Sequence, residues 1–253
     1  MEEKYLKREE MPEGASFSAE GTPLGATLLA EGAPEKMGEN AATLIDVSPM
    51  VIRRLPRYYR YLRVLLESGC GRISSSELST LMGVMASQIR QDLNCFGGFG
   101  QQGYGYNVKY LYGKIGELLG VQEGYHTIII GAGNLGRALA ATHMYERRGI
   151  TRLAMFDNDP AIVGNEIHGL PVYHIDRLEE FCETNRVDFA TLTTPREVAP
   201  AIAERLAAIG IKGIWNFSNT EIKLSDPSVI VEQIHLGDSL MKLCYDMKNK
   251  QGK

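Results

Sequence analysis

Residues 128–136 read Ile128-Ile129-Ile130-Gly131-Ala132-Gly133-Asn134-Leu135-Gly136, an apolar run closed by three glycines at G-x-G-x-x-G spacing. β-Branched residues that stop on such a pattern predict a buried strand turning tightly into a helix. The first glycine permits the turn, the second lets the backbone approach a pyrophosphate, and the third lets the helix pack on the sheet. Backbone N–H groups of Asn134 and Leu135, at the start of that helix, would face the phosphates. The motif alone is a weak signal, and its context strengthens it. A strand is expected over 127–130, a helix over Leu135–Arg147, and a second strand over 151–156 that leads to Asp157. Asp157 lies 26 residues after Gly131, somewhat beyond the usual ~20. Its carboxylate would bond an adenosine ribose 2′-OH and repel a 2′-phosphate, which favours NAD over NADP. The alternative is a domain of the same shape whose glycines serve only packing.

Downstream, short strands are expected over 171–173, 188–193, 211–216 and 229–234, with helices over 176–184 and 196–208 between them. Strands alternating with helices at this spacing predict an α/β, doubly wound parallel sheet. Ligands in such sheets sit at the carboxyl ends of strands. Thr193, Thr194 and Pro195 follow one strand end and Asn216 and Phe217 another, so these five are candidate cofactor walls. Asp159 either bonds near the ribose or caps the next turn. Arg137 either reaches a phosphate or is solvated.

The segment before the sheet differs in charge. Residues 1–46 carry four Lys/Arg and ten Asp/Glu, whereas residues 47–114 carry nine Lys/Arg and three Asp/Glu. The formal net charge of -4 hides this basic block, and the local field governs encounter with a polyanion. A helix is expected from Pro49 to Ser68, with Leu55, Tyr59, Leu62, Leu65 and Leu66 as the buried stripe and Pro56 kinking or breaking it. Ser74 and Glu77 form a capping box ahead of a short helix that ends at Gly83. A second short helix runs from Ala86 to Leu93, so the pair reads as a helix-turn-helix. The glycines from Gly97 to Gly105, spaced by Phe99 and Tyr104, read as a two-stranded wing, and a helix over Val108–Leu119 closes the domain. Ser87, Gln88, Arg90 and Gln91 face out from the second helix and are candidate readers of bases and phosphates. Arg53, Arg54, Arg57, Arg60 and Arg63 crowd the first helix, and their mutual repulsion calls for a polyanion. A dimer is expected, since two readers must span two half-sites.

These readings divide the 253 residues into an acidic tail (1–46), a winged-helix DNA-binding domain (47–120), a Rossmann-type domain (121–234) and a C-terminal helix and tail (235–253). The glycines, prolines and charges of the tail show no sustained period, except for a short helix over 2–10. Its acidity either competes with DNA for the basic block or is inert. No apolar run approaches a membrane span, and Glu2, Glu3, Glu9 and Glu10 do not suit a signal peptide. Cys70, Cys95, Cys182 and Cys244 lack metal-ligand spacing and suit reduced thiols in a cytoplasm.

The order Arg54-Leu55-Pro56-Arg57-Tyr58-Tyr59-Arg60-Tyr61-Leu62, Ile73-Ser74-Ser75-Ser76-Glu77-Leu78, Gln88-Ile89-Arg90-Gln91-Asp92-Leu93, Phe96-Gly97-Gly98-Phe99-Gly100 and then Gly131 through Leu139 closely resembles the redox-sensing transcriptional repressor Rex family. The resemblance spans about residues 47–247. It implies a cytoplasmic homodimer, with no membrane partner and no enzymatic turnover, whose winged helices bind double-stranded operator DNA. It also implies that the Rossmann-type domain senses NADH against NAD⁺, that NADH releases the DNA, and that the helix Asp238–Met247 swaps into the partner. Gln101 and Gln102 stand where many members carry wing cations, which implies weaker phosphate attraction there. Thr142 or, with a short gap, Tyr145 stands where the family has a tyrosine, and His235 stands where it has an aspartate. Those substitutions point to a variant with an altered operator or weaker discrimination between the two redox forms. The nicotinamide reader is expected in Thr193–Pro195, Asn216 and Phe217, with His235 or Leu236 from the partner.

Two other classes compete. An NAD-dependent dehydrogenase needs an oriented acid/base, and His143, His168, His174 and His235 are its candidates, none in a segment with an orienting partner. A scaffold that binds a nucleotide or CoA but no DNA would leave the arginine helix without a use.

Overall fold

The computed structural model describes residues 47–94, 100–101 and 105–250. The acidic tail, Cys95, Gln102 and the rest of the wing tip lie outside them. The chain divides into two compact units, Met1–Leu119 and Gly120–Lys253.

In the first unit, α1 (Pro49–Ile52) and α2 (Leu55–Glu67) replace the single expected helix. Pro56 sits in the first turn of α2, where its missing N–H costs nothing. Leu55, Tyr58, Leu62 and Leu65 are buried, and Tyr59 stacks on Tyr112 with ring centroids 4.3 Å apart. One strand that the sequence reading missed, β1, joins the expected two-stranded wing. β1 (Arg72–Ile73) precedes α3 (Ser75–Met82) and α4 (Ala86–Asn94), and then β2 (Gly100–Gln101) and β3 (Gly105–Asn107) follow. The three strands form an antiparallel sheet in the order β1-β3-β2, so the wing has a third strand. Two residues carry no readable period, which is why β1 escaped notice. The Ser74–Glu77 capping box forms in both directions, at 3.1 and 2.8 Å. Gly83 closes α3 in the left-handed region. α5 (Val108–Leu118) ends the unit and buries Val108, Leu111 and Ile115.

The second unit is a seven-stranded sheet. Its elements are β4 (His126–Ile130), α6 (Asn134–Ala140), β5 (Thr151–Asp157), β6 (Glu166–Ile167), β7 (Leu170–His174), α7 (Leu178–Thr184), β8 (Phe189–Leu192), α8 (Ala199–Ala208), β9 (Gly213–Asn216), β10 (Ile230–Gln233) and α9 (Leu236–Lys250). The order across the sheet is β10-β9-β8-β4-β5-β7-β6. All neighbours run parallel except the β6–β7 hairpin. Without β6 the order, read from the β7 edge, is third, second, first, fourth, fifth, sixth, which is the dinucleotide-binding arrangement. The order of strand addition reverses between the parallel neighbours β4 and β8, and in such sheets the crevice opens at their carboxyl ends.

One helix is shorter than the period suggested. Leu135–Arg147 was expected, but α6 stops at Ala140 and a 3₁₀ turn, Glu146–Arg148, follows. Tyr145 explains the break. It is buried, its hydroxyl lies 3.1 Å from the Thr191 hydroxyl, and its ring packs edge-on to Trp215. A continuous helix would not place that ring over the sheet. Arg152 holds the released turn by donating to the Ala140 carbonyl and, at 2.8 Å, from Nε to Glu146.

Candidate functional site

The crevice is built around one threonine. Thr193 leaves β8 beside the glycine turn that leaves β4, and its N–H donates to the Ile130 carbonyl at 2.8 Å. Its hydroxyl lies within bonding distance of the Ile130 and Gly131 carbonyls, at 3.0 and 2.9 Å. Gly131 has φ +98, and a Cβ there would meet Thr193 backbone at 3.0 Å. A Cβ on Gly136 would be driven into the Gly131 carbonyl oxygen and would lie 2.9 Å from the Thr193 hydroxyl. Packing alone therefore explains two of the three glycines. It does not explain Gly133. That residue has φ -72 and an extended ψ, and a Cβ there would meet nothing within 4 Å. Neither strain nor crowding requires glycine at this position, and the space beyond it is open. α6 has seven residues, so a close approach of backbone, more than the helix dipole, is what this turn offers an anion.

Asp157 ends β5 beside the turn. Its Oδ2 accepts from the Ala132 N–H at 2.6 Å, and its Oδ1 accepts from the Asn158 and Asp159 N–H groups at 2.8 and 2.9 Å. Oδ1 is thereby filled, whereas Oδ2 keeps room for one more donor. Asp159 caps the following turn, accepting from the Ala161 N–H at 2.9 Å. Arg137 turns back on its own loop and donates to the Ala132 carbonyl at 2.7 Å.

The expected wall is partly internal. Thr193 holds the glycine turn. Pro195 accepts from Val198 and Ala199 at the entry to α8. Asn216 is buried and saturated: its amide donates to the Thr220 carbonyl (2.8 Å) and Gln233 Oε1 (2.5 Å), and its Oδ1 accepts from the Ser218 N–H and hydroxyl at 2.9 and 2.6 Å. It shapes the loop after β9 and has no donor left for a ligand. Thr194 differs, because its hydroxyl oxygen is buried with no hydrogen-bond partner among the described residues. Such a group is costly unless something else completes it. Phe217 is half-buried and packs edge-on to Trp215 with centroids 4.6 Å apart. Thr142 is exposed and Tyr145 is in the core, so Thr142 is the one a partner could touch.

The basic block of residues 47–114 has its own centre, and sequence reasoning missed it. Asp92 on α4 is fully buried. Its Oδ1 accepts from Arg54 Nη2 at 2.7 Å and Gln88 Nε2 at 2.8 Å. Its Oδ2 accepts from Arg54 Nε at 2.7 Å and the Tyr58 hydroxyl at 2.9 Å. Burial alone would raise its pKa, but the bonds from Arg54, Gln88 and Tyr58 win and hold it below the ordinary aspartate value. Burial, then the bond to Asp92, pushes the Tyr58 phenol up. The signal was present: Asp92 falls three residues after Ile89 and beside Leu93, on the apolar face. Two candidate DNA readers, Arg54 and Gln88, are thus held by this carboxylate. Arg57 donates to the Met82 carbonyl at the end of α3, and Arg90 donates to the Ser75 hydroxyl at 3.1 Å. Arg53, Arg60 and Ser87 are exposed. Gln101 lies on β2, and Gln102 lies outside the described residues. Among the described residues no cluster of His, Cys, Asp and Glu could hold a metal ion, and no helix is long and apolar enough to cross a membrane.

Comparison with known proteins follows the same division. Residues 46–94 match the family described as putative DNA-binding protein N-terminus, and residues 122–220 match the CoA binding domain family. The redox-sensing transcriptional repressor Rex of Caldanaerobacter subterraneus subsp. tengcongensis is 50% identical over 205 residues, 81% of this chain and 91% of that protein. The Rex repressor of Clostridium perfringens is 45% identical over 199 residues, 79% of this chain and 93% of its own. The crystal structure of RSP in complex with β-NAD⁺ and operator DNA is similar at TM-score 0.76 and 48% identity, covering 81% of this chain and 94% of that one. RSP in complex with β-NADH is similar at TM-score 0.75 and 45% identity, covering 81% and 96%.

Two outcomes follow from this geometry. Gly136→Ala should lower the stability of the second unit by about 1–3 kcal/mol through overpacking, whereas Gly133→Ala should stay within about 0.5 kcal/mol. Thermal unfolding followed at Trp215 measures both. For Asp92 the folded pKa lies below the unfolded one, so its contribution is present above the unfolded pKa of about 3.9 and is lost as pH falls through the folded value. Hydrogen exchange of α2 and α4 amides should accelerate across that acid window, and Asp92→Asn should remove the dependence.

Proposed function

The chain belongs to the Rex family of redox-sensing transcriptional repressors, and on that premise we propose how its residues divide the work. A repressor of this family is not an enzyme, so these residues need only bind, discriminate and transmit. The first unit takes the operator duplex. Arg53 and Arg60 meet phosphates, and the exposed edge of α4, with Ser87, Arg90 and Gln91, enters the major groove. The second unit holds NAD(H). The glycine turn accommodates the pyrophosphate over Gly133, Asp157 receives the adenosine ribose, and Thr194 and Phe217 face the nicotinamide end. The open space over Gly133 is the observation that carries this reading, and the unpartnered Thr194 hydroxyl supports it.

The dinucleotide supplies a ring that is flat and charged when oxidised, and neutral with one more hydrogen when reduced. Only a difference in affinity between two states of the protein can move it from one to the other. Residues at the nicotinamide end must therefore be arranged differently in the DNA-holding and released dimers. Thr142 and His235, in place of the family's tyrosine and aspartate, bear on the strength of that difference.

The dimer reading rests on α9. None of its residues is buried, and Leu236, Leu240, Met241, Leu243, Tyr245 and Met247 are all exposed. Isolated apolar side chains on a surface are ordinary, but six on one helix mark an interface. The occupant is a second copy of this chain, as the family resemblance implies.

Selecting duplexes from a random pool and titrating the complex with each nucleotide tests the function. NADH should release DNA at concentrations at which NAD⁺ does not. Equal release by both, or by neither, would refute redox sensing, and strong release by NADH alone would dismiss a weakened switch. Leu240→Asp with Leu243→Asp should move the mass by light scattering from dimer to monomer and lower operator affinity at least tenfold.

A further inference from the structure

Residues 47–114 carry nine Lys/Arg against three Asp/Glu, yet the most buried charged group among them is an anion. Asp92 has no exposed surface and cannot touch DNA. Four donors fill its two oxygens, two from Arg54, one from Tyr58 and one from Gln88. Arg54 precedes α2, Tyr58 lies within it, and Gln88 sits one turn before Asp92 on α4. The carboxylate therefore ties the helix that carries the exposed arginines to the helix that carries the candidate base readers. It also sets the pose of one of those readers. An ionised carboxylate only accepts, so the Gln88 amide must turn its nitrogen toward Asp92 and its oxygen away. A free glutamine would sample both orientations.

We propose that Asp92 is a specificity-determining positioning residue, which fixes the Gln88 amide and cancels the charge of Arg54 so that operator and random duplex are told apart. This rests on the duplex-binding reading above. Its consequence is a pair of opposite changes. Removing the carboxylate charge adds one positive charge to the DNA-binding unit, and non-specific binding follows charge. The same change frees the Gln88 amide, and base discrimination follows orientation. Loss of fold would instead weaken both kinds of binding together.

Asp92→Asn in the full chain tests this, with a selected operator and a random duplex measured across a salt series. Random-duplex affinity should rise a few-fold at low salt, with the log–log salt slope steeper by about one. The operator-to-random ratio should fall about tenfold or more. In a Gln88→Ala background, Asp92→Asn should cause little further loss of that ratio, because the two residues act through one contact. A proportional fall in both affinities, or an unchanged ratio, would overturn the proposal. If Asp92→Asn does not fold, Gln88→Ala decides alone, since it leaves the Arg54–Asp92 pair in place. It should reduce the ratio at one base pair and leave the salt slope unchanged, and an unchanged ratio would overturn the proposal. A wild-type chain that retains neither duplex would refute the duplex reading itself, a result distinct from any of these.

Discussion

The second unit depends on the interlock of Thr193 with Gly131 and Gly136. One hydroxyl between two carbonyls joins the end of the first parallel strand to the end of the fourth, at the point where the order of strand addition reverses. No side chain fits between those backbones. A side chain at Gly131 or Gly136 would strike neighbouring atoms, whereas one at Gly133 would meet none. The open direction is over Gly133, at the carboxyl ends of the strands, where open sheets of this class receive ligands. Packing thus fixes two of three glycines that sit within six residues, and the proposed ligand contact falls to the third.

The first unit meets the opposite problem. Its cations repel one another, and burying a lone charge is expensive. Asp92 makes burial tolerable by filling every bonding position on its carboxylate, and the arginine it takes up no longer adds to the surface field. Arg57 and Arg90 are exposed but engaged with carbonyl or hydroxyl oxygens, and Arg53 and Arg60 are exposed as well. The arginine-rich helix is therefore not a uniform stripe of charge but a set of cations with different duties.

Much of this was legible beforehand, and the misses have physical causes. The glycine spacing, the capping box and the βα alternation are local patterns, and each formed where the residues predicted. The end of α6 was not legible, because Ala141 through Arg147 has no helix breaker and the decisive event is Tyr145 reaching Thr191 across the sheet. Short strands such as β1 and β6 have too few residues to show a period. Among candidate site residues, Asn216 lies where ligands bind, but only its partners reveal that its amide is already occupied. Conversely, no spacing rule singles out the unpartnered hydroxyl of Thr194. Gln88 reads as a solvent-facing polar residue until the buried acid one turn away is seen.

The last helix has a thermodynamic consequence. Fifteen residues without tertiary support are marginal as a helix in water. On the proposed pairing of subunits through α9, ordering the helix is a cost borne at the moment they meet. The pairing is weaker than its apolar area alone would give, and its heat-capacity change is enlarged by coupled folding. Subunit exchange becomes faster for the same reason, so repressor abundance, along with ligand level, sets how much of the protein is competent to hold a promoter.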